Sequence, residues 1–529
     1  MIDPRSEAQR WLAAEPDDDL RAELTELLAG PDAVVAERFS GRLQFGTAGL
    51  RAAVGAGPQR MNRLVVRQAA AGLVDHLLQT TPGAARRGVL IGYDARRKSD
   101  VFALDTARVC AARGVRALVF DRTVPTPVLA WNITGVGAAA GVMVTASHNP
   151  PADNGYKVYL GTGAQIVPPA DTQIAACIDA VDPCTVALAA EDDPLIERVG
   201  RELVDAYLGA VPSVRLLPDL QGVPVAYTAL HGVGGDTLLA AFDRAGYDPP
   251  YVVAAQQEPN GSFPTVSFPN PEEPGAMDLL LALAAERDVA IAIANDPDAD
   301  RLGAAIPQPD GSWRRLYGDE IGWLLADHVL SHTTGDDRFV ITTLVSSSML
   351  ERMAAAHEVH YAETYTGFKW IGHTVLEHPD RRFVLGYEQA LGYLVCGRPL
   401  DKDGITAAVL LAEVAALAAA EGTTLQARLD ALAIRYGRHV MAERSLRMQP
   451  SEAAALVAAL RANPPGEIGG HAVTATSWYD EAGLLRLQFG DALRLQIRPS
   501  GTEPKVKLYA EGIDIDPNPA LDALVALVS

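Results

Sequence analysis

One rhythm recurs along this chain: an apolar strand, a polar or glycine-bearing loop, an amphipathic helix, then a second apolar strand. It runs through "GVLIGYDARRKSDVFALDTARVCAARGVRALVF", "VPVAYTALHGVGGDTLLAAFDRAGYDPPYVV" and "FVITTLVSSSMLERMAAAHEVHYAET". In each, apolar residues pass from continuous runs to helical spacing and back. Short strands alternating with helices make mainly parallel sheets covered on both faces, and ligands bind at the loops on the carboxyl ends of such strands. The end of the chain breaks the pattern. After the helix-like "SEAAALVAALRANP", alternating runs in "LLRLQFGDALRLQIRPSGTEPKVKLYAEG" predict antiparallel strands. The fold class expected is therefore α/β: three related α/β domains with mainly parallel mixed sheets, then a smaller C-terminal α+β domain. A chain of 529 residues has room for this, since about 150 residues per domain gives three or four. The predicted domains are 1–211, which includes acidic N-terminal helices, then 212–327, 328–434 and 435–529. Within the first forty residues, "EPDDDL" offers an N-cap to "RAELTELLAG", and no chemistry is read there.

The charge pattern narrows the partners. A formal net charge of -21 argues against nucleic acid and against an anionic membrane surface. A small phosphorylated substrate is still compatible, because fields are screened over about 8 Å and a local Arg and Lys cluster can dominate a pocket. The amino-terminal stretch has no leader pattern, and apolar runs such as "VLLAEVAALAAA" are broken by carboxylates, so a cytoplasmic protein is expected. The four cysteines, Cys110, Cys177, Cys184 and Cys396, lack C-x-x-C spacing and read as buried free thiols.

Four loops carry the chemistry. In "NDPDADR", after the strand "DVAIAIA", Asp296, Asp298 and Asp300 alternate, so an extended loop points three carboxylates one way. An EF-hand would need glycine sixth and glutamate twelfth, where this chain has Arg301 and Pro307. Oxygen ligands from one short loop leave open coordination positions, which suits Mg²⁺ completed by a phosphate oxygen. In "VTASHNPPADNGYKVY", Ser147 ends an apolar strand, but the glycines of a hydrolase elbow are missing. A phosphorylated serine would instead want a cation and positive donors, which the Asp triplet, Arg301 and Lys157 can supply. His148 either bonds its own loop or takes part in catalysis; adjacency alone does not turn it toward the hydroxyl. In "RPSGTEPKVKLY", Arg498 can grip a phosphate bidentately, Ser500 and Thr502 add hydroxyls, Gly501 admits backbone N–H groups and Lys505 adds charge. The alternative there is a plain hairpin turn. In "GYEQALGY", Glu388 can accept sugar hydroxyls, with Lys369 of "YTGFKWIG" as a further donor. Asp403 of "LDKDG" reads as a helix N-cap and not as a metal ligand. "FGTAGLR" places Thr47 and Arg51 where they can meet an anion, or else it is a surface loop.

Taken jointly and in order, "TASHNP", "DPDADR", "GYEQALGY" and "RPSGTEPK" resemble the α-D-phosphohexomutase superfamily. "FGTAGLR" and "TGFKWIG" are similar to its long phosphoglucomutase/phosphomannomutase branch, and the resemblance spans nearly the whole chain. It implies four domains around a central cleft. It implies that Ser147 is a phosphoserine, that Asp296, Asp298 and Asp300 hold Mg²⁺ with a phosphoserine oxygen, that Glu388 contacts the sugar, and that Arg498, Ser500, Gly501 and Thr502 bind the phosphate not being transferred. Thr47, Arg301, Lys369 and Lys505 join the substrate-binding set, and His148, Lys157 and Arg51 the catalytic one. The activity implied moves a phosphoryl group between positions 1 and 6 of a hexose phosphate, with glucose 1,6-bisphosphate or another sugar bisphosphate as activator, in a monomer or homodimer. One departure stands out: many members carry G-E-x-S-G-H, whereas Gln389, Ala390, Leu391, Gly392 and Tyr393 follow Glu388 here. The resemblance therefore fixes neither the sugar nor the general base, and a phosphopentomutase, a glucose 1,6-bisphosphate synthase or a metal-dependent phosphatase is the alternative.

Overall fold

A computed structural model describes residues 3–500 and 504–528. The chain forms two compact units, one of 1–316, 372–379 and 392–419, the other of 317–371, 380–391 and 420–529.

In the first unit, the first repeat becomes strand Val89–Tyr93, helix Ser99–Ala112 and strand Ala117–Phe120. Its sheet has six strands, ordered Leu50–Ala53, Asp153–Leu160, Ala140–Val144, Val89–Tyr93, Ala117–Phe120, Ile196–Val199. The last four run parallel, and the two at the other edge are antiparallel. The strand "AGVMV" is buried at every position, as befits a run covered on both faces. The second repeat gives Val225–Thr228, Gly235–Arg244 and Tyr251–Val252, in a sheet completed by Ile291–Asn295, Leu302–Pro307 and Trp313–Arg315. Three helices, Pro4–Ala14, Asp18–Ala29 and Asp32–Phe39, precede all this. Trp11, Leu20 and Leu24 on them share one core with Met61, Leu64 and Tyr156. The second of these helices starts at Asp18, before the predicted "RAEL", and the Asp17 side chain makes no capping bond.

In the second unit, the third repeat gives Arg338–Thr343, Met349–Ala356 and His360–Thr364, with strand Arg382–Glu388 parallel to Arg338–Thr343. The terminal region is an antiparallel sheet ordered His439–Arg447, Lys505–Ile513, Leu493–Pro499, Leu484–Phe489, Ala475–Tyr479, packed on helices Pro450–Ala462 and Asn518–Val528. The expected mixed α/β sheets and the antiparallel end are thus present. All four cysteines are free; only Cys110 is fully buried, the other three being half-buried. Among the described residues no single helix is long and apolar enough to cross a membrane.

Candidate active site

Strand Ala140–Val144 ends in a turn that places Ser147 at φ 51°, a left-handed conformation unusual for a residue with a side chain. Its N–H donates to Thr145 Oγ1 at 2.9 Å, and its hydroxyl donates to Asp296 Oδ2 at 2.7 Å. His148 does turn toward it, with Nδ1 at 3.1 Å from Ser147 Oγ, an orientation that adjacency gave no reason to expect. Burial, then the Arg301 and Arg51 charges, hold the His148 imidazole well below its ordinary range.

The three aspartates follow strand Ile291–Asn295 and are all buried, with ligand oxygens within 4.8 Å of one another. Burial and the Asp298 and Asp300 charges push Asp296 well above the carboxylate range. Asp298 is buried too, yet Lys157 outweighs that and draws it down. Lys157 Nζ lies 2.7 Å from Asp298 Oδ2 and 2.9 Å from Asp300 Oδ2, projecting from the antiparallel strand Asp153–Leu160. Arg301 donates its backbone N–H to Asp296 Oδ1 at 3.0 Å. Asp298 Oδ1 and Asp300 Oδ1 are buried without a hydrogen-bond partner. Orphaned carboxylate oxygens are costly to bury, and two in one acidic cluster fit a hard divalent cation with oxygen ligands.

Three further residues complete this cluster and were not singled out from the sequence. Thr126, at the start of helix Thr126–Gly135, donates from Oγ1 to Asp298 Oδ2 at 2.6 Å. Lys402 Nζ lies 3.3 Å from Asp300 Oδ2. Its neighbour Asp403 does cap a helix, accepting from Ile405 N and Thr406 N, each at 3.0 Å, so the capping reading of "LDKDG" was right but hid the lysine. Arg96 donates to the carbonyls of Ser147 (2.5 Å), Asn149 (2.6 Å), Pro150 (2.8 Å) and Asp153 (3.1 Å). The Asp94-Ala95-Arg96 sequence at the carboxyl end of a strand was the available signal for it. Arg51 reaches the same loop, donating to Asn149 Oδ1 at 3.0 Å. The turn that holds Thr47 and Arg51 needs its glycine: at Gly49, φ 74°, a Cβ would sit 1.9 Å from the Tyr156 carbonyl oxygen.

Ser147, His148, Lys157, Arg51, Arg301 and the three aspartates are therefore gathered in the first unit. Thr47 belongs to the first unit as well, whereas Lys369, Glu388, Arg498, Ser500 and Lys505 belong to the second. Glu388 is buried at the end of strand Arg382–Glu388, not in a loop as expected, because parallel pairing with Arg338–Thr343 continues through Gly386 and Tyr387. Lys369 lies in the first turn of helix Phe368–Glu377. Arg498 ends strand Leu493–Pro499, donating to Tyr509 OH at 3.2 Å while its Nε is buried without a partner. Ser500 N donates to the Lys505 carbonyl at 2.9 Å. Gly501 and Thr502 lie outside the described residues.

Four family models match this chain, those of phosphoglucomutase/phosphomannomutase alpha/beta/alpha domains I, II and III over 42–183, 205–310 and 317–436, and of the C-terminal domain over 443–518. The chain is 42% identical to a probable phosphomannomutase of Haemophilus influenzae, over 87% of this chain and 94% of that protein. It is 36% identical to a probable phosphoribomutase of Schizosaccharomyces pombe, over 94% and 92%. Its fold is similar to the crystal structure of a putative phosphomannomutase from Thermus thermophilus, with a TM-score of 0.70 at 23% identity, covering 92% of this chain and 99% of that one.

Proposed function

The chain belongs to the phosphoglucomutase/phosphomannomutase family, and on that footing we propose that it moves a phosphoryl group between positions 1 and 6 of a hexose monophosphate by way of a phosphorylated Ser147. One observation carries this reading: the Ser147 hydroxyl donates to Asp296 at 2.7 Å, within a buried triplet of carboxylates whose oxygens cluster within 4.8 Å. A serine meant for acyl transfer has no use for three aspartates. A serine that carries a phosphoryl group needs a cation beside it.

Asp296, Asp298 and Asp300 would hold Mg²⁺, which when bound draws negative charge from phosphoryl oxygens. Thr126 and Lys402 orient and balance the carboxylates. In the first half-reaction the Ser147 Oγ–P bond breaks, a new O–P bond forms to the sugar's free hydroxyl, and that hydroxyl's proton must leave. His148, whose Nδ1 is 3.1 Å from Ser147 Oγ, would take that proton and pass it to the freed Ser147 oxygen. Lys157, bound between two carboxylates, acts by charge. In the second half the bisphosphate returns its other phosphoryl group to Ser147. Such transfers depend on in-line placement and charge neutralisation more than on covalent side-chain chemistry. Arg51, Thr47 and Arg301 would steady the transferring phosphate. Arg498, Ser500, Gly501, Thr502 and Lys505 would grip the other one, with Glu388 and Lys369 on the sugar. The working enzyme is a cytoplasmic monomer or homodimer acting on small sugar phosphates, with a sugar bisphosphate as activator.

A second reading is favoured by the loop after Glu388. Gln389 turns its amide oxygen to Ser346 Oγ at 2.9 Å, and Ala390 and Leu391 are apolar, so this loop offers the sugar little beyond Glu388. A pentose has fewer hydroxyls to satisfy, and the relative from Schizosaccharomyces pombe carries the name phosphoribomutase. Turnover of glucose 1-phosphate, mannose 1-phosphate and ribose 1-phosphate, with and without glucose 1,6-bisphosphate, decides between them. Loss of substrate matched by free inorganic phosphate would make it a phosphatase instead, and net accumulation of bisphosphate a synthase.

A further inference from the structure

We propose that Asp17 and Asp19 are positioning residues: through Lys98 they fix the 94–99 loop, and with it Arg96, so that Ser147 keeps the backbone conformation from which its hydroxyl meets the aspartates. The inference rests on the phosphoserine reading above. It assigns a role to the helical segment that precedes residue 42, where the family match begins.

Ser147 at φ 51° is a strained residue, and such strain persists only where the surroundings over-determine it. Arg96 provides that constraint. Its guanidinium ties the carbonyl of Ser147 to those of Asn149, Pro150 and Asp153, so the whole turn hangs on one buried side chain. Arg96 is fixed in turn by its own loop: its N–H donates to Asp94 Oδ1 at 3.0 Å, and Asp94 Oδ2 accepts from Thr145 Oγ1 at 2.6 Å. Gly261 closes the other side, since a Cβ there would lie 2.5 Å from the Ala95 carbonyl oxygen.

Two residues beyond Arg96 the chain is strained again, at Lys98 with φ 65°. The Lys98 ammonium is held from outside its loop, 2.7 Å from Asp17 Oδ2 and 3.1 Å from Asp19 Oδ1. Lys98 and Asp17 are only 15% and 13% exposed, so this pair is shielded from solvent. The Arg97–Asp19 pair is about half exposed and contributes little by comparison. Asp17 is itself anchored, its N–H donating to Glu15 Oε1 at 3.1 Å and its carboxylate meeting Arg63 at 3.3 Å. The two helices that flank Asp17, the second of them carrying Asp19, are packed through Trp11, Leu20 and Leu24 into the same core as Tyr156, the neighbour of Lys157. A rigid body thus bears on one strained residue, which bears on Arg96, which bears on the serine.

The test compares wild type with Asp17→Asn/Asp19→Asn, Lys98→Met and Lys98→Arg, all full length and with Mg²⁺. It reads the single-turnover rate at which glucose 1,6-bisphosphate phosphorylates Ser147, the steady-state kcat and KM, and the melting temperature. The double asparagine variant and Lys98→Met should each slow transfer to Ser147 by roughly 10-fold, well short of the roughly 100-fold that a full ångström of misplacement can produce. KM for the sugar phosphate should stay within about 2-fold, because the substrate contacts are untouched. The two changes combined should be no slower than either alone, as expected of one chain of contacts, and Lys98→Arg should recover most of the rate. Unchanged transfer rates, or a loss equal to the fraction unfolded at the assay temperature, would overturn the proposal. If the asparagine variant melts below that temperature, the Lys98→Met and Lys98→Arg pair decides alone. A wild type that never becomes phosphorylated on Ser147 would instead sink the phosphoserine reading and this proposal with it.

Discussion

At Ser147 the hydroxyl is aimed by backbone strain held in place by Arg96, and at the aspartates the carboxylates are aimed by Thr126, Lys157 and Lys402. These supports set how tightly the cluster can take a cation. Thr126→Val keeps the side chain's shape but removes the 2.6 Å bond to Asp298. It should raise the Mg²⁺ concentration for half-maximal turnover roughly 10-fold, the low end of what losing such a support does to a metal site, as read by Mg²⁺ titration. If Arg498 grips a phosphate as proposed, Arg498→Ala should remove a charge-assisted contact of about 1.5–3 kcal/mol. KM for the sugar phosphate would rise by roughly 10- to 100-fold with a smaller change in kcat, and an unchanged KM would leave "RPSGTEPK" a plain turn. The candidate site residues could be picked out because their spacing is itself the signal: Asp at alternate positions, Ser at a strand end, Arg-Pro-Ser-Gly. Arg96, Thr126 and Lys402 were not, since each works across a long sequence separation and sits in a stretch that reads as ordinary strand end, helix start or cap.

The secondary elements were read well where hydrophobic period decides and less well where pairing does. All three repeats appear with strand, helix and strand in the expected places. Strand Arg382–Glu388 runs on through Gly386 because ladder hydrogen bonds to its parallel neighbour outweigh glycine's poor strand preference. At the N-terminal helices a buried carboxyl gives a pH signature. Burial raises Glu15 to about 7 from 4.5, with the Asp17 N–H and Lys98 opposing. Because the folded state holds the proton more tightly, this group's stabilising contribution is complete below pH 4.5 and is lost as pH rises through about 7. Glu15→Gln should therefore flatten the stability profile over that window and stabilise the protein at pH 8 by about 2 kcal/mol. Denaturant unfolding at pH 5 and pH 8 checks this, and an identical pH slope in both proteins would contradict it.

For the molecule as a whole, a net charge of -21 sits alongside a cluster in which Lys157 and Lys402 are spent on binding carboxylates. The triplet also predicts a metal-linked stability. Saturating Mg²⁺, at about 100 times its Kd, should add about 2.7 kcal/mol to unfolding; a chelator should reverse the gain, and Asp298→Asn should abolish it, all measurable by thermal melting. The fold class and the order of the domains followed from the sequence because repeats and alternation are local patterns. The division into two compact units did not, since it depends on segments 372–379 and 392–419 joining the N-terminal half, and no local pattern records such a pairing. The central claim is that Ser147 carries the phosphoryl group. Mass spectrometry of the protein after brief incubation with glucose 1,6-bisphosphate and Mg²⁺ tests it most directly. One phosphoryl group should appear on the peptide containing Ser147, should leave on addition of the accepted sugar phosphate, and should be absent, along with turnover, in Ser147→Ala. Full mutase activity in Ser147→Ala, or a phosphoryl group that resides on another residue, would contradict the claim.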